Sequence, residues 1–150
     1  MTSTRRISHE LTPLHLENLG LEKALKSLLQ RLEESGKITT TVSIDAAIDE
    51  CPWLVQLALY RIYSELINNT LKYAQASQLG IHIFKAKESL NCHYFDDGIG
   101  LKKETNSAGL GFTSIENRVN MLKGSLDFGT RVAGGFYAEI ILPNQKTGES

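Results

Sequence analysis

Residues 61–74, with the sequence RIYSELINNTLKYA, carry a carboxylate, a carboxamide and an ammonium group at helical spacing. Glu65, Asn69 and Lys72 stand at i, i+4 and i+7, so a helix through this segment places the three side chains on one stripe. The chain then supplies two glycine-rich turns, Asp96-Asp97-Gly98-Ile99-Gly100 and Gly109-Leu110-Gly111. A polar helical stripe followed by two such turns indicates a nucleotide site.

Composition limits the class of protein and its partners. The chain has 150 residues, of which 41% are hydrophobic and 22% charged, so it is sized for one globular domain with a buried core. A formal net charge of −1 gives no general attraction to nucleic acid or to an anionic membrane. We therefore expect no nucleic-acid partner and no direct membrane contact by this domain.

The cysteines and histidines give no sign of a disulfide framework or a zinc site. Cys51 and Cys92 are far apart without a CxxC spacing, and no apolar run is long enough for a membrane span or a signal peptide. We expect a reducing, cytoplasmic setting for this domain, with membrane anchoring of a parent protein left open. The four histidines lack metal-ligand spacing, so no structural zinc is expected.

Hydrophobic periodicity predicts the order of helices and strands. Leucines at intervals of three and four indicate a helix from about residue 14 to the Ser35-Gly36 stop, with a bend at Gly20. The other predicted elements are a strand at 38–44, a helix at 52–76 opened by acidic residues and Pro52, an antiparallel pair of strands at 79–87 and 90–96, a helix from Phe112 to Lys123, and strands at 125–129 and 136–142 joined by a Gly134-Gly135 turn. This order predicts an α+β fold, a two-layer α/β sandwich with a mixed sheet of about five strands and about three helices on one face.

Three motifs follow one another along the chain. They are ExxxN on a long helix, DxGxG at the end of a strand, and GxG at the start of a helix. This arrangement resembles the Bergerat-type ATP-binding domain shared by sensor histidine kinases, type II topoisomerases, heat-shock chaperone ATPases and mismatch-repair ATPases. The finer resemblance is to the catalytic domain of the histidine-kinase subfamily that partners response regulators with helix-turn-helix output domains. Residues 61–77 resemble its N-box, DDGIG and GLGFTSIENRV its two glycine boxes, and LTPLHLENLGLEKAL its entry helix.

The resemblance implies a domain organisation, cofactors and partners. Residues 1–13 would be the end of a dimerisation-domain helix or a linker, residues 14–143 the ATP-binding catalytic domain, and residues 144–150 a polar tail. His9 lies in a segment that superficially resembles a phosphoacceptor box, but too few residues separate it from Asn69 for a two-helix bundle, so we expect a helix-end residue there. The implied cofactors are ATP and Mg²⁺, and the implied partners are the protein's own dimerisation and phosphoacceptor domain and, indirectly, a response regulator.

The resemblance also assigns roles on the helical stripe. Asn69 would be the Mg²⁺ ligand, since a carboxamide oxygen suits this hard cation while triphosphate oxygens and waters complete its octahedron. Glu65 and Lys72 would be the catalytic pair. Glu65 would orient Mg²⁺-bound water or hold a nearby donor, at a position that activates the attacking water in related ATPases, and Lys72 would contact a phosphate oxygen. Tyr73, which the resemblance also places in the nucleotide set, stands where the family often has histidine.

The remaining nucleotide contacts come from the two glycine boxes. Asp96 would accept a hydrogen bond from the adenine amine, worth about 1.5–3 kcal/mol, while Gly98 and Gly100 permit close approach of the base. Gly109 and Gly111 would lay backbone N–H groups against phosphates at the helix N-terminus near Thr113, behind a short ATP lid at 101–108 that contains Lys102 and Lys103. Arg118 either reaches the nucleotide or forms a salt bridge. The predicted nucleotide set is completed by Asn68, Ile99, Leu110 and Phe112.

Three functions are compatible with these motifs. The first is a catalytic domain that transfers the γ-phosphoryl group of ATP to a histidine on a dimerisation domain absent from this chain. The second is a serine kinase of the anti-sigma-factor type. The third belongs to another class, an ATP-gated binding module whose lid closure presents a surface to a partner.

Overall fold

The computed structural model describes Leu16, residues 19–99 and residues 112–143, with the backbone alone for Tyr73 and Ala74. Within these ranges the chain forms three α-helices and five strands. They are α1 (Leu21–Glu34), β1 (Thr39–Ile44), α2 (Trp53–Asn69), β2 (Gln78–Lys85), β3 (Ser89–Asp96), α3 (Phe112–Met121), β4 (Ser125–Thr130) and β5 (Phe136–Pro143).

The strands form one mixed sheet in the order β1-β2-β3-β5-β4. β1 pairs with β2 in parallel, and every other neighbouring pair is antiparallel, including the predicted β2–β3 hairpin. Alternate residues of β3 and β5 are buried, which is the pattern of a sheet covered by helices on one face. The opposite face carries exposed residues such as His82 and Glu139.

The core lies between this sheet and the three helices. Each element contributes fully buried side chains, for example Leu25 from α1, Leu59 from α2, Ile115 from α3 and Tyr94 from β3. The predicted two-layer α/β sandwich is therefore confirmed. No helix in the described ranges is long and apolar enough to cross a membrane.

The bend expected at Gly20 marks the start of α1. Gly20 has φ +88° and is the residue before Leu21. Its missing Cβ leaves room for the Asp49 carboxylate, which would lie 2.6 Å from such an atom and which accepts the N–H of Glu22 at 3.0 Å. Asp49 is one of the acidic residues before Pro52 that were expected to open the second helix. Asp49 instead belongs to a short 3₁₀ helix, Ala46–Glu50, and caps α1.

The second predicted helix ends differently from the expectation of one α-helix over 52–76. The α-helical part stops at Asn69, Thr70–Ala74 continue as a π-helical turn, and Gln75 adopts a left-handed conformation with φ 54°. Hydrophobic spacing does not resolve one widened turn at a helix end, because a π turn adds a single residue. Such turns are frequent at functional sites, and this one begins at a residue that contacts Asp96.

Candidate nucleotide site

Asp96 is the most constrained polar side chain at the end of β3. It is only 1% exposed. Its Oδ1 accepts the N–H of Gly98 at 2.8 Å and the N–H of Phe136 at 3.3 Å, and its Oδ2 accepts the hydroxyl of Thr70 at 2.9 Å. Donors from three separate parts of the chain thus fix one carboxylate. A buried carboxylate satisfied in this way keeps a defined orientation.

The Thr70 hydroxyl joins Asp96 to Tyr94 in a hydrogen-bonded chain. Thr70 donates its one proton to the carboxylate, so the Tyr94 phenol must be the donor in the short Tyr94–Thr70 hydrogen bond. Burial raises the pKa of the Tyr94 phenol, which keeps that proton in place. The same phenol lies 3.2 Å from the Leu66 carbonyl, a second acceptor within reach.

The turn between β4 and β5 packs directly on the backbone of Asp96. Gly135 has φ +108°, and a Cβ there would lie 2.0 Å from the Asp96 carbonyl oxygen. Arg131 from the same turn donates to that carbonyl at 2.9 Å and lies 4.9 Å from the centre of the Phe95 ring. The Gly134-Gly135 turn predicted from sequence therefore also holds the floor of the candidate site.

The neighbouring Asp97 joins the end of β3 to the start of β2 by hydrogen bonds. Its Oδ1 accepts the N–H groups of Ser77 and Gln78, each at 2.9 Å, and its Oδ2 accepts the Ser77 hydroxyl at 2.8 Å. Desolvation alone would raise the pKa of Asp97, but the hydrogen bonds from Gln78 and Ser77 lower it below the usual 3.8. These hydrogen bonds therefore stabilise the folded chain at pH values above 3.8. The stabilisation is lost as the pH falls through the lowered pKa of Asp97.

The carboxylate of the α2 stripe faces α3. Glu65 Oε1 lies 3.3 Å from a guanidinium nitrogen of Arg118, which also donates to the Ser114 hydroxyl one turn earlier on α3. Of the two possibilities for Arg118, the structure shows the salt bridge.

A groove of about 760 Å³ runs between the first half of α2 and α3. Its lining is mainly apolar. Two of the lining residues are largely exposed to solvent, Leu54 at 70% and Met121 at 79%. The lining residues are Leu54, Leu57, Ala58, Arg61, Thr113, Ser114, Asn117, Arg118, Met121 and Leu122. The lining thus includes the predicted site residue Thr113 and the Glu65 partner Arg118.

Comparison with known proteins identifies the family. A family model described as "Histidine kinase-, DNA gyrase B-, and HSP90-like ATPase" matches residues 54–146. The chain belongs to this ATPase family. The sensor histidine kinase ComP of Bacillus subtilis (strain 168) is 34% identical over 152 residues, which is 93% of this chain and 19% of that protein. DegS of Brevibacillus brevis, a signal transduction histidine-protein kinase/phosphatase, is 31% identical over 144 residues, 95% of this chain and 37% of that protein.

The comparisons also confirm the fold. The histidine kinase domain of the Erythrobacter litoralis blue-light activated histidine kinase superposes with a TM-score of 0.68 at 23% identity, over 82% of this chain and 58% of the other. This ATPase-family chain spans less than two fifths of the length of ComP or DegS. It corresponds in each case to one part of a longer histidine kinase.

The residues predicted for nucleotide binding in this ATPase-family domain divide into three groups. Asp96 is buried and fixed by its donors, Gly98 is half-buried beside it, and Thr113 is exposed at the start of α3. Asn68, Lys72 and Ile99 are exposed, and Asn69 is half-buried beside Thr70. The third group lies outside the described residues. Its members are the Tyr73 side chain, Gly100, Lys102, Lys103, Gly109, Leu110 and Gly111.

The Phe112 side chain lies in the core. It is 2% exposed, and its ring centre lies 4.5 Å from that of Phe128 and 5.5 Å from that of Phe136. The ring therefore packs against aromatic side chains of β4 and β5, and a nucleotide contact by Phe112 stays a prediction.

Sequence reasoning missed Thr70, Arg131 and the backbone of Phe136. Thr70 could have been found, because it follows Tyr63 and Leu66 on the buried stripe of α2, and a polar residue on an apolar stripe needs a buried partner. Arg131 and Phe136 gave no such signal, since their link to Asp96 depends on which strands are neighbours in the sheet.

The donor set fits Mg²⁺ only when the cation arrives with a nucleotide. No group of three or more His, Cys, Asp or Glu side chains in the described ranges could hold a metal ion. The oxygen of Asn69 would supply one ligand, and a triphosphate and waters would supply the others.

Proposed function

We propose that this domain binds Mg-ATP and transfers the γ-phosphoryl group to a histidine on the dimerisation domain of a two-component sensor kinase, from which a response regulator aspartate receives it. Support comes from membership of the ATPase family, from the sensor-kinase relatives, and from one observation above all. That observation is the buried Asp96 carboxylate fixed beside the end of α2. Free thiols at both described cysteines agree with a cytoplasmic domain.

Adenine selection follows from the acceptors that Asp96 still offers. Each carboxylate oxygen has two lone pairs. Among the described residues, Oδ1 already accepts two N–H groups, whereas Oδ2 accepts the Thr70 hydroxyl alone. The second lone pair of Oδ2 suits the exocyclic amine of adenine. Guanine presents an oxygen at the same place, so it would be rejected.

For phosphoryl transfer the protein must mainly align the reacting groups and neutralise the charge on the phosphates. Bound Mg²⁺ would offset charge on the triphosphate. From this chain, Asn69 would hold the cation and Lys72 would contact a phosphate oxygen. Glu65 lies one turn before Asn69, on the side where the phosphates would be.

Asn69→Ala is expected to remove the Mg²⁺ dependence of triphosphate binding. The carboxamide oxygen is the ligand by which the domain would hold the cation, so we expect affinity for a non-hydrolysable ATP analogue with Mg²⁺ to fall about tenfold or more. Calorimetric titration with and without Mg²⁺ measures this, and Asn120→Ala, an exposed asparagine of α3, is the matched control. An unchanged Mg²⁺ effect in Asn69→Ala would remove this residue from the metal role.

The groove between α2 and α3 is proposed as the docking site of the helical phosphoacceptor domain. Its lining includes Arg118, which contacts Glu65 of the polar stripe. A helix seated there would present its histidine at the phosphate end of the nucleotide. An amphipathic helix in an apolar groove is a common recognition mode, and the exposed Leu54 and Met121 provide the apolar anchors.

Charge in the groove is expected to abolish transfer without affecting ATP binding. For Leu54→Glu and Met121→Glu, burying a carboxylate against the docked helix should lower phosphotransfer to the dimerisation domain by about a hundredfold. Radiolabelled transfer and a parallel ATP titration measure the two steps. Val132→Glu is the control, because Val132 is a fully exposed apolar residue of the β4–β5 turn, away from the groove. Full transfer in both groove variants would place docking elsewhere.

The chemistry of the labelled product separates the kinase classes. Phosphohistidine is labile to acid and stable to alkali, so a label with these properties on the dimerisation domain supports the proposal. An acid-stable phosphoserine would indicate the serine kinase. Normal ATP affinity with no label on any partner would indicate the ATP-gated binding module.

A further inference from the structure

The ion pair between α2 and α3 joins a nucleotide-site carboxylate to a residue outside the predicted catalytic set. Arg118 donates to Glu65 Oε1 at 3.3 Å across the two helices, and the same guanidinium is anchored by the Ser114 hydroxyl on its own helix. Two independent acceptors therefore set the position of the guanidinium. The pair is partly exposed, with side chains 26% and 37% accessible for Arg118 and Glu65, so it contributes little to the stability of the fold.

Glu65 is a residue that could promote ATP hydrolysis, a reaction that competes with phosphoryl transfer. A carboxylate one turn before the Mg²⁺ ligand is suited to accept a proton from water. In that reaction the water oxygen forms a bond to the γ-phosphorus, the bond from phosphorus to the β–γ bridging oxygen breaks, ADP leaves, and the proton of the water passes to Glu65. The products are ADP and phosphate, so the phosphoryl group is no longer available for transfer to the histidine.

We propose that Arg118 is a positioning residue that holds Glu65 against α3 and so prevents the carboxylate from activating water, which preserves ATP for transfer. This inference rests on the proposed function. One of the two Glu65 carboxylate oxygens, Oε1, already accepts a hydrogen bond from the Arg118 guanidinium, which holds the carboxylate on the side of α3. The guanidinium is also held by Ser114 and therefore cannot readily follow Glu65 toward the nucleotide.

The test measures ATP hydrolysis by the chain itself. Arg118→Gln removes the charge and is expected to raise the kcat for phosphate release about tenfold or more with KM for ATP unchanged, since a general base is worth at least that factor. Arg118→Lys should restore slow hydrolysis in part. The double variant Glu65→Gln with Arg118→Gln should return to the slow rate, and Arg31→Gln, an exposed arginine of α1, is the matched control.

Direct titration with a non-hydrolysable ATP analogue separates this inference from the proposed function. If Arg118→Gln binds the analogue normally and hydrolyses no faster, the positioning role is overturned and ATP binding stands. A loss of analogue affinity in that variant would make Arg118 a phosphate ligand and also overturn the positioning role. Fast hydrolysis that persists in the double variant would exclude Glu65 as the base. If the unaltered chain binds no analogue, both this inference and the proposed function fail.

Discussion

Asp96→Asn is expected to lower the affinity for ATP by about a hundredfold or more while the domain stays folded. The lost charge-assisted hydrogen bond to the adenine amine is worth about 1.5–3 kcal/mol, and the amide would add an N–H donor facing the donor of the base. The variant thus exchanges an attraction for a repulsion. Buried area and secondary structure are untouched by the change.

The hydrogen-bonded chain behind Asp96 explains why the fold should survive. In the variant the amide oxygen continues to accept from Gly98 and Phe136. The new N–H donates to Thr70, Thr70 turns its proton to Tyr94, and the Tyr94 phenol donates to the Leu66 carbonyl at 3.2 Å. The N–H groups of Gly98 and Phe136 and the hydroxyls of Thr70 and Tyr94 thus all stay paired after this reversal, and the second amide N–H is the one that would face the base.

Calorimetry with a non-hydrolysable ATP analogue, and GTP as a second ligand, measures the effect. Asp127→Asn is the matched control, because Asp127 is an exposed aspartate on β4 that accepts a hydrogen bond from the Tyr137 hydroxyl at 3.1 Å. Circular dichroism on the same samples reports the fold. Unchanged ATP affinity in Asp96→Asn would contradict the adenine assignment.

Gly135→Ala is expected to destabilise the domain by about 3 kcal/mol or more. The methyl group would lie 2.0 Å from the Asp96 carbonyl oxygen and 2.9 Å from the Asp97 Cα, both of which are backbone atoms that cannot rotate away. The φ of +108° adds the strain of a left-handed conformation. Relief requires the β4–β5 turn to move off β3, which would also disturb the hydrogen bonds of Asp96.

Gly134→Ala is a closely matched control for this variant. Gly134 has φ +100°, but no atom lies within 4 Å of a Cβ placed there, so only the conformational strain of about 1 kcal/mol applies. Urea unfolding of the two variants compares strain alone with strain plus clash. Equal losses of stability would show that the turn relaxes freely and that its contact with Asp96 is unimportant.

Local sequence signals predicted the order of the elements well. Spacing of three and four in α1, alternation in β3 and β5, and the Gly134-Gly135 turn all describe short stretches whose pattern reflects burial on one face. The family resemblance stated from the ExxxN, DxGxG and GxG motifs agrees with the family match. The individual roles of Asn69, Lys72 and Asp96 stay predictions until the experiments above are done.

What the sequence could not provide depends on contacts between distant segments. Asp49 looked like the start of a helix because its neighbours are acidic and Pro52 follows, yet its partner is the N–H of Glu22. The Glu65–Arg118 pair was only one of two options for Arg118, because its formation requires α2 and α3 to be neighbours. Periodicity carries no information on such pairings.

The donors that fix Asp96 come from the end of α2, the turn after β3 and the start of β5. These segments meet only when the sheet order β1-β2-β3-β5-β4 is complete, and distant pairings of this kind form late because loop closure precedes them. The proposed adenine selectivity would therefore arise in the same cooperative event as the native sheet. A chain that lacks β5 would lose the Phe136 N–H donor to Asp96, and we expect it to show no preference among nucleobases.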